Sequence, residues 1–115
     1  MDPVDVIVAL TAADSEEEAA RLARTLVEEK LAACVNILPN ARSLYRWKNA
    51  LCDEREWILV IKSVRTLFPR LKKRILELHT YEVPEVLCLN AADGDVRYLQ
   101  WIADSTLTDG PGGGA

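Results

Sequence analysis

Ala33-Cys34-Val35-Asn36-Ile37-Leu38-Pro39-Asn40-Ala41-Arg42-Ser43-Leu44-Tyr45-Arg46-Trp47-Lys48-Asn49-Ala50 is an extended run broken by one proline and closed by a turn. Ala33 to Leu38 reads as a strand, and Ser43 to Trp47 resumes it. Pro39-Asn40 between them implies an edge position or a bulge, because proline cannot donate to a strand ladder. Lys48-Asn49-Ala50 reads as the turn, with Asn49 suited to a left-handed conformation. From Glu54 to Ser63, Trp57, Leu59 and Ile61 alternate with Ile58, Val60 and Lys62, which is the period of a returning strand. Together they predict one long hairpin at the centre of the chain.

The flanks of the hairpin complete the pattern. Val4 to Leu10 is a short β-branched run that reads as a buried strand, and Thr11 to Asp14 reads as the turn after it. Ser15 and Glu18 form a capping box, with Glu16 and Glu17 at the positive end of the helix dipole. Ala19, Leu22, Ala23, Leu26, Val27 and Leu31 then recur at helical steps, predicting an amphipathic helix of about four turns. After the hairpin, Thr66 is positioned to cap a second helix with the stripe Phe68, Leu71, Ile75 and Leu78. Pro69 falls in its first turn, where a missing N–H costs little. Val83 to Asn90 reads as a fourth strand. Asp93-Gly94-Asp95 turns into a short last helix carrying Tyr98, Leu99, Trp101 and Ile102. The order βαββαβ plus a C-terminal helix predicts an α+β, ferredoxin-like sandwich, with an antiparallel four-stranded sheet and both main helices on one face. The other face needs cover, which points to an oligomer. Trp47 and Trp57, flanking the turn far from the expected core, are expected to anchor it, with the 43–63 hairpin giving most of the contact.

Composition narrows the function. The chain has 115 residues, 14 Lys and Arg against 18 Asp and Glu, and a net charge of −4. This length suits one domain, expected over residues 1–107, followed by a Gly-rich tail over 108–115 expected to be disordered. An acidic chain is a poor general binder of nucleic acid. No apolar run approaches the ~20 residues of a membrane span, and Met1-Asp2-Pro3-Val4-Asp5 is acidic where a secretory leader is basic. Cys34, Cys52 and Cys88 form no C-x-x-C pair, so a zinc ribbon and a thioredoxin-like site are not expected, and the cytoplasm is the simplest compartment.

Four segments resemble the CutA family of divalent-cation tolerance proteins. Ala23-Arg24-Thr25-Leu26-Val27-Glu28-Glu29-Lys30-Leu31-Ala32-Ala33-Cys34-Val35-Asn36 is similar to its first signature. Ser43-Leu44-Tyr45-Arg46-Trp47-Lys48-Asn49 is similar to S-x-Y-x-W-x-G, with Asn49 in the place of glycine. Leu59-Val60-Ile61-Lys62-Ser63 resembles L-x-I-K-T. Leu78-His79-Thr80-Tyr81-Glu82-Val83-Pro84-Glu85-Val86 resembles a segment H-P-Y-E-V-P-E, with Thr80 in the place of proline. Tyr98-Leu99-Gln100-Trp101-Ile102 fits the final helix. The resemblance implies a tight homotrimer, built like PII signalling proteins, with a role in metal-ion tolerance and copper binding and with no enzymatic reaction.

The candidate functional residues are Tyr45, Trp47, Lys62, His79, Tyr81, Glu82 and Glu85, expected to converge on a pocket at a subunit boundary for a small molecule or metal. Tyr45 and Trp47 read equally as interface packing, and Lys62 with Glu82 or Glu85 as a structural ion pair. His79 is the single imidazole, at a helix C-terminus. Copper or another divalent cation could use it with Cys34 or a carboxylate such as Glu82 or Glu85, as imidazole and thiolate suit copper. In family members with a described copper site, the resemblance places the companion ligands at Leu10 and Leu78, which have no donor. Only modest binding, and no metal in material prepared without copper, is expected. The cationic stretch Lys62, Arg65, Arg70, Lys72, Lys73 and Arg74 reads as a solvated face. Three functions stay open: a metal-tolerance trimer, a PII-like ligand sensor, and a non-catalytic scaffold.

Overall fold

The computed structural model describes residues 4–108; the expected tail, 109–115, lies outside them. Eight elements follow in order: β1 (Val6–Ala13), α1 (Glu16–Glu28), β2 (Cys34–Trp47), β3 (Ala50–Val64), a 3-10 turn (Arg65–Leu67), α2 (Phe68–Leu78), β4 (Leu87–Asn90) and α3 (Val96–Asp104). They make one antiparallel sheet in the order β2-β3-β1-β4. The fold is the α+β, ferredoxin-like βαββαβ arrangement with a C-terminal helix.

Parity along the strands separates the two faces of the sheet. Ala9 and Ala13 of β1, with Leu59 and Ile61 of β3, pack with Leu22 and Leu26 of α1 and Leu71 and Ile75 of α2 in the core. Val8 and Leu10, paired with Lys62 and Val60, turn the other way, toward what we call the open face. Leu87 and Leu89 of β4, paired with Leu10 and Val8, and Leu38 of β2, paired with Ile58, share that face. Leu38, Leu87 and Leu89 are about half exposed. α3 rests against β1 and β3 with Ile102 buried.

The proline in β2 makes a bulge. Leu38 pairs with Ile58, but the next pair is Ala41 with Glu56, so β2 carries one residue more than β3 there. Asn40 takes the left-handed φ of 56°. One extra residue inverts which side chains face which way. Val35 and Ile37 pack toward the helices, whereas Tyr45 and Trp47, of the same odd parity, are carried to the open face with Glu54 and Glu56. Trp57 stays on the helix side, packed against the core. The expectation that Trp57 needs a partner surface is therefore corrected.

Other boundaries shift for physical reasons. β1 continues to Ala13, with Thr11 fully buried in it, so Thr11 to Asp14 is not all turn. α1 starts on the expected Ser15 cap, whose hydroxyl accepts from Glu18 N–H at 3.1 Å. It stops at Glu28 because Lys30 is left-handed, at φ 60°, and Leu31 N–H turns back to Leu26 C=O at 3.0 Å. β3 begins at Ala50, so the hairpin turn is Lys48-Asn49, both left-handed, as a tight two-residue hairpin turn requires. Thr66 lies inside the 3-10 turn rather than capping α2, whose N-cap is Leu67. β4 begins at Leu87, not Val83; Pro84 has no N–H for the ladder.

Candidate functional site

The bulge brings β2's aromatic residues opposite the connection between α2 and β4. The open cleft between them, about 730 Å³, is lined among others by Tyr45, Trp47, Tyr81, Glu82, Glu85 and Glu56. Five of the seven residues singled out in the sequence thus meet at one cleft. His79 stands behind the wall and Lys62 stands elsewhere.

His79 follows the last turn of α2, and both its ring nitrogens are engaged. Nε2 lies 2.6 Å from the carbonyl oxygen of Ala12. A carbonyl can only accept, so Nε2 carries the hydrogen. The backbone N–H of Tyr81 donates to Nδ1 at 3.1 Å, so Nδ1 holds the lone pair. The imidazole is thereby the neutral Nε2–H tautomer. β4 covers β1 only from Ile7 to Leu10, and the imidazole satisfies Ala12 C=O beyond the end of that strand. Arg21 donates to Leu78 C=O at 2.6 Å and fixes the end of α2 from the α1 side.

Tyr81 leans on His79 with ring centroids 4.6 Å apart and crosses to the hairpin, where its hydroxyl donates to Glu56 Oε2 at 2.8 Å. Burial and the Glu56 carboxylate push the phenol well above its ordinary ionisation range. Glu85 is also pushed up, first by burial and then by the nearby Glu56. Glu82 is exposed and only 3.9 Å from Lys48 Nζ, which also lies over the Trp47 ring at 5.7 Å. Arg42, at the rim, is held by a two-pronged pair to Asp53 at 2.9 and 2.7 Å.

Lys62 is registered against Val8 and Cys34 at the far end of the sheet, and its amine bonds the Asn36 side chain. The ion pair of Lys62 with Glu82 or Glu85 is therefore corrected, and Lys62 is not part of the cleft. The rest of the cationic stretch is dispersed: Arg65 pairs with Asp5 at 3.2 Å, Arg74 with Glu29 at 2.8 Å, and Lys72 lies over Phe68. Glu54, Glu56, Asp14 and Arg42 also line the cleft and were missed in the sequence. The signal for Glu54 and Glu56 was present: they alternate in phase with Ile58 and Val60, and one extra residue at Pro39-Asn40 puts them beside Tyr45.

The donor set fits copper poorly. The imidazole has no lone pair to spare, Leu10 and Leu78 offer no donor, and Cys34 lies at the Lys62 end of the sheet with its thiol 3.8 Å from the Asn36 carbonyl oxygen. Among the described residues, no three His, Cys, Asp or Glu side chains converge as a metal site would need.

Comparison with known proteins agrees with the fold and with the four sequence segments. The model of the family described as "CutA1 divalent ion tolerance protein" matches residues 7–105. The chain is 44% identical over 99 residues to the divalent-cation tolerance protein CutA of Thermus thermophilus, covering 86% of this chain and 96% of that protein. The crystal structure of the Thermus protein superposes with a TM-score of 0.85 over 88% of this chain and 98% of its own. Human CutA is 38% identical over 104 residues, and this chain spans 58% of its length. By family model, relatives and structure alike, this chain belongs to the CutA1 divalent ion tolerance protein family.

Proposed function

We propose that this divalent-cation tolerance protein works as a homotrimer, with its cleft near a subunit boundary and no catalytic reaction of its own. The observation that carries the reading is the open face. Leu38, Leu87 and Leu89, each more than 50% exposed, adjoin Tyr45 and Trp47 on a hairpin that stretches the molecule to 50 Å. A contiguous apolar face of this kind on a small protein marks an interaction surface. The non-catalytic part is supported by His79: the single imidazole of the chain is spent on Ala12 and Tyr81 and is not poised as a general base. The cysteines stand on three different strands, Cys34, Cys52 and Cys88, which suits the reducing cytoplasm.

Native mass spectrometry of freshly purified protein tests the assembly and its contents together. A three-chain mass is expected. A stable monomer at micromolar concentration would refute the trimer. The size and aromatic lining of the cleft favour one second reading, a PII-like sensor of a small ligand. A reproducible extra organic mass on the trimer, lost on Tyr81→Ala, would favour that reading.

A further inference from the structure

We propose that His79 is a positioning residue, locked as a neutral Nε2–H imidazole to hold the cleft wall, and is not a ligand for copper. The argument begins with β1. β4 ends its pairing with β1 at Leu10, since Pro84 lies in the segment that would continue the ladder. Ala12 C=O lies beyond that end, beside a buried stretch, and a buried carbonyl without a donor is costly. The Nε2–H of His79 supplies the donor at 2.6 Å. The other nitrogen then has only its lone pair to offer, and Tyr81 N–H uses it at 3.1 Å. One ring therefore ties the end of β1 to the start of the α2–β4 connection.

The tie continues through Tyr81. Its ring packs at 4.6 Å on the imidazole, and its hydroxyl reaches Glu56 on β3. Ala12, His79, Tyr81 and Glu56 thus form one line of contacts from the central strand to the hairpin, and that line sets the width of the cleft. A metal needs an in-plane lone pair. Nδ1 can offer one only if Tyr81 N–H is released, and Nε2 only if Ala12 C=O is released and the proton lost. Either choice opens the wall. The companion positions Leu10 and Leu78 would return nothing, as neither has a donor atom.

The experiment uses the whole chain, uniformly labelled with nitrogen-15. Long-range proton–nitrogen spectra at neutral pH are expected to show a single neutral imidazole, with Nε2 protonated and Nδ1 bare. The Nδ1–H tautomer, or a rapidly exchanging mixture, would overturn the proposal. Equimolar Cu(II) is then added. The Tyr81 amide and the His79 ring signals are expected to stay sharp. Broadening of both in the native chain that is absent in His79→Gln would show that the imidazole is a ligand. His79→Gln matters for a second reason: its amide can donate to Ala12 C=O and accept from Tyr81 N–H, yet it is a poor copper ligand. The Gln variant is expected to keep the slow exchange of the Tyr81 amide, whereas His79→Leu should exchange it roughly tenfold faster, the loss of one hydrogen bond. Equally fast exchange in both variants would refute the positioning role. Should the Leu variant not fold, the native tautomer and the Gln variant still decide.

Discussion

Thr11 carries a buried hydroxyl with no hydrogen-bond partner among the described residues. It shares the helix-facing parity of Ala9 and Ala13, so its oxygen is enclosed by apolar side chains. Valine has nearly the same shape and no group to desolvate. Thr11→Val is expected to raise stability by about 1 kcal/mol, read as a higher urea midpoint at unchanged slope and fixed protein concentration. A lower midpoint would mean the hydroxyl is satisfied after all. Threonine next to Ala-Ala-Asp reads as a turn in the sequence, because nothing local reveals that β3 continues alongside to Trp57. Titration gives two more tests, of opposite sign. The Arg74 guanidinium holds Glu29 below its ordinary range, so that pair contributes stability above the unfolded carboxylate range and loses it as pH falls through the lowered value. Both side chains are a third or more exposed, so the effect is small. Arg74→Met is expected to flatten the acid side of the stability profile slightly. Glu85 is held above its ordinary range by burial and Glu56. Its favourable contribution is present at low pH and disappears as pH rises through the raised value. Glu85→Gln is therefore expected to stabilise the chain at neutral pH and to leave it unchanged near pH 3. A gain of the same size at both pH values would sink the argument.

Turns and bulges show where the elements could be read and where they could not. The element order follows from periodicity alone, because each apolar stripe has the period of its own structure. Ser15 could be read as a cap because its partner lies three residues on. By contrast, Lys30, Asn40, Lys48 and Asn49 are all left-handed, and lysine carries no local signature of that conformation. With a single glycine in the body of the chain, the geometry of each turn is imposed by what its flanks bury. Lys30 is the plainest case. It closes α1 by letting the N–H groups of Leu31 and Ala32 reach Leu26 C=O, a position where glycine is free of the Cβ penalty. Lys30→Gly is expected to stabilise by up to about 1 kcal/mol, measured by thermal or chemical denaturation. A loss would show that the entropy of the unfolded glycine outweighs the relief. The bulge teaches the converse lesson. Pro39 marked it in the sequence, but its consequence is not local: it inverts the faces of Tyr45 and Trp47 and so builds the cleft. The partners of Tyr81 were hidden for the same reason, since Glu56 meets it only after that inversion.

The assembly is where a single chain is least complete. Its helix-side core is closed, yet the opposite face shows Leu38, Leu87 and Leu89 half exposed beside Tyr45 and Trp47. Fully burying one leucine is worth roughly 1.5–3 kcal/mol, and in a three-fold assembly each residue counts three times. Leu38 is the informative position. It precedes the bulge, faces away from the helices, and is paired to Ile58 in the middle of the hairpin. In a free protomer Leu38→Asp costs little, because the side chain is 51% exposed there. In the trimer it places a carboxylate in each copy of a contact that excludes water, which is strongly unfavourable. Leu76 on α2 is the control, at 50% exposure on a helix. Leu38→Asp is expected to sediment as folded monomers with unchanged far-ultraviolet circular dichroism, while Leu76→Asp keeps the native sedimentation coefficient. If the Leu38 variant remains a trimer, the open face is not what joins the subunits. If the Leu76 variant alone dissociates, the contact runs through the helices and the sheet face must be covered in another way.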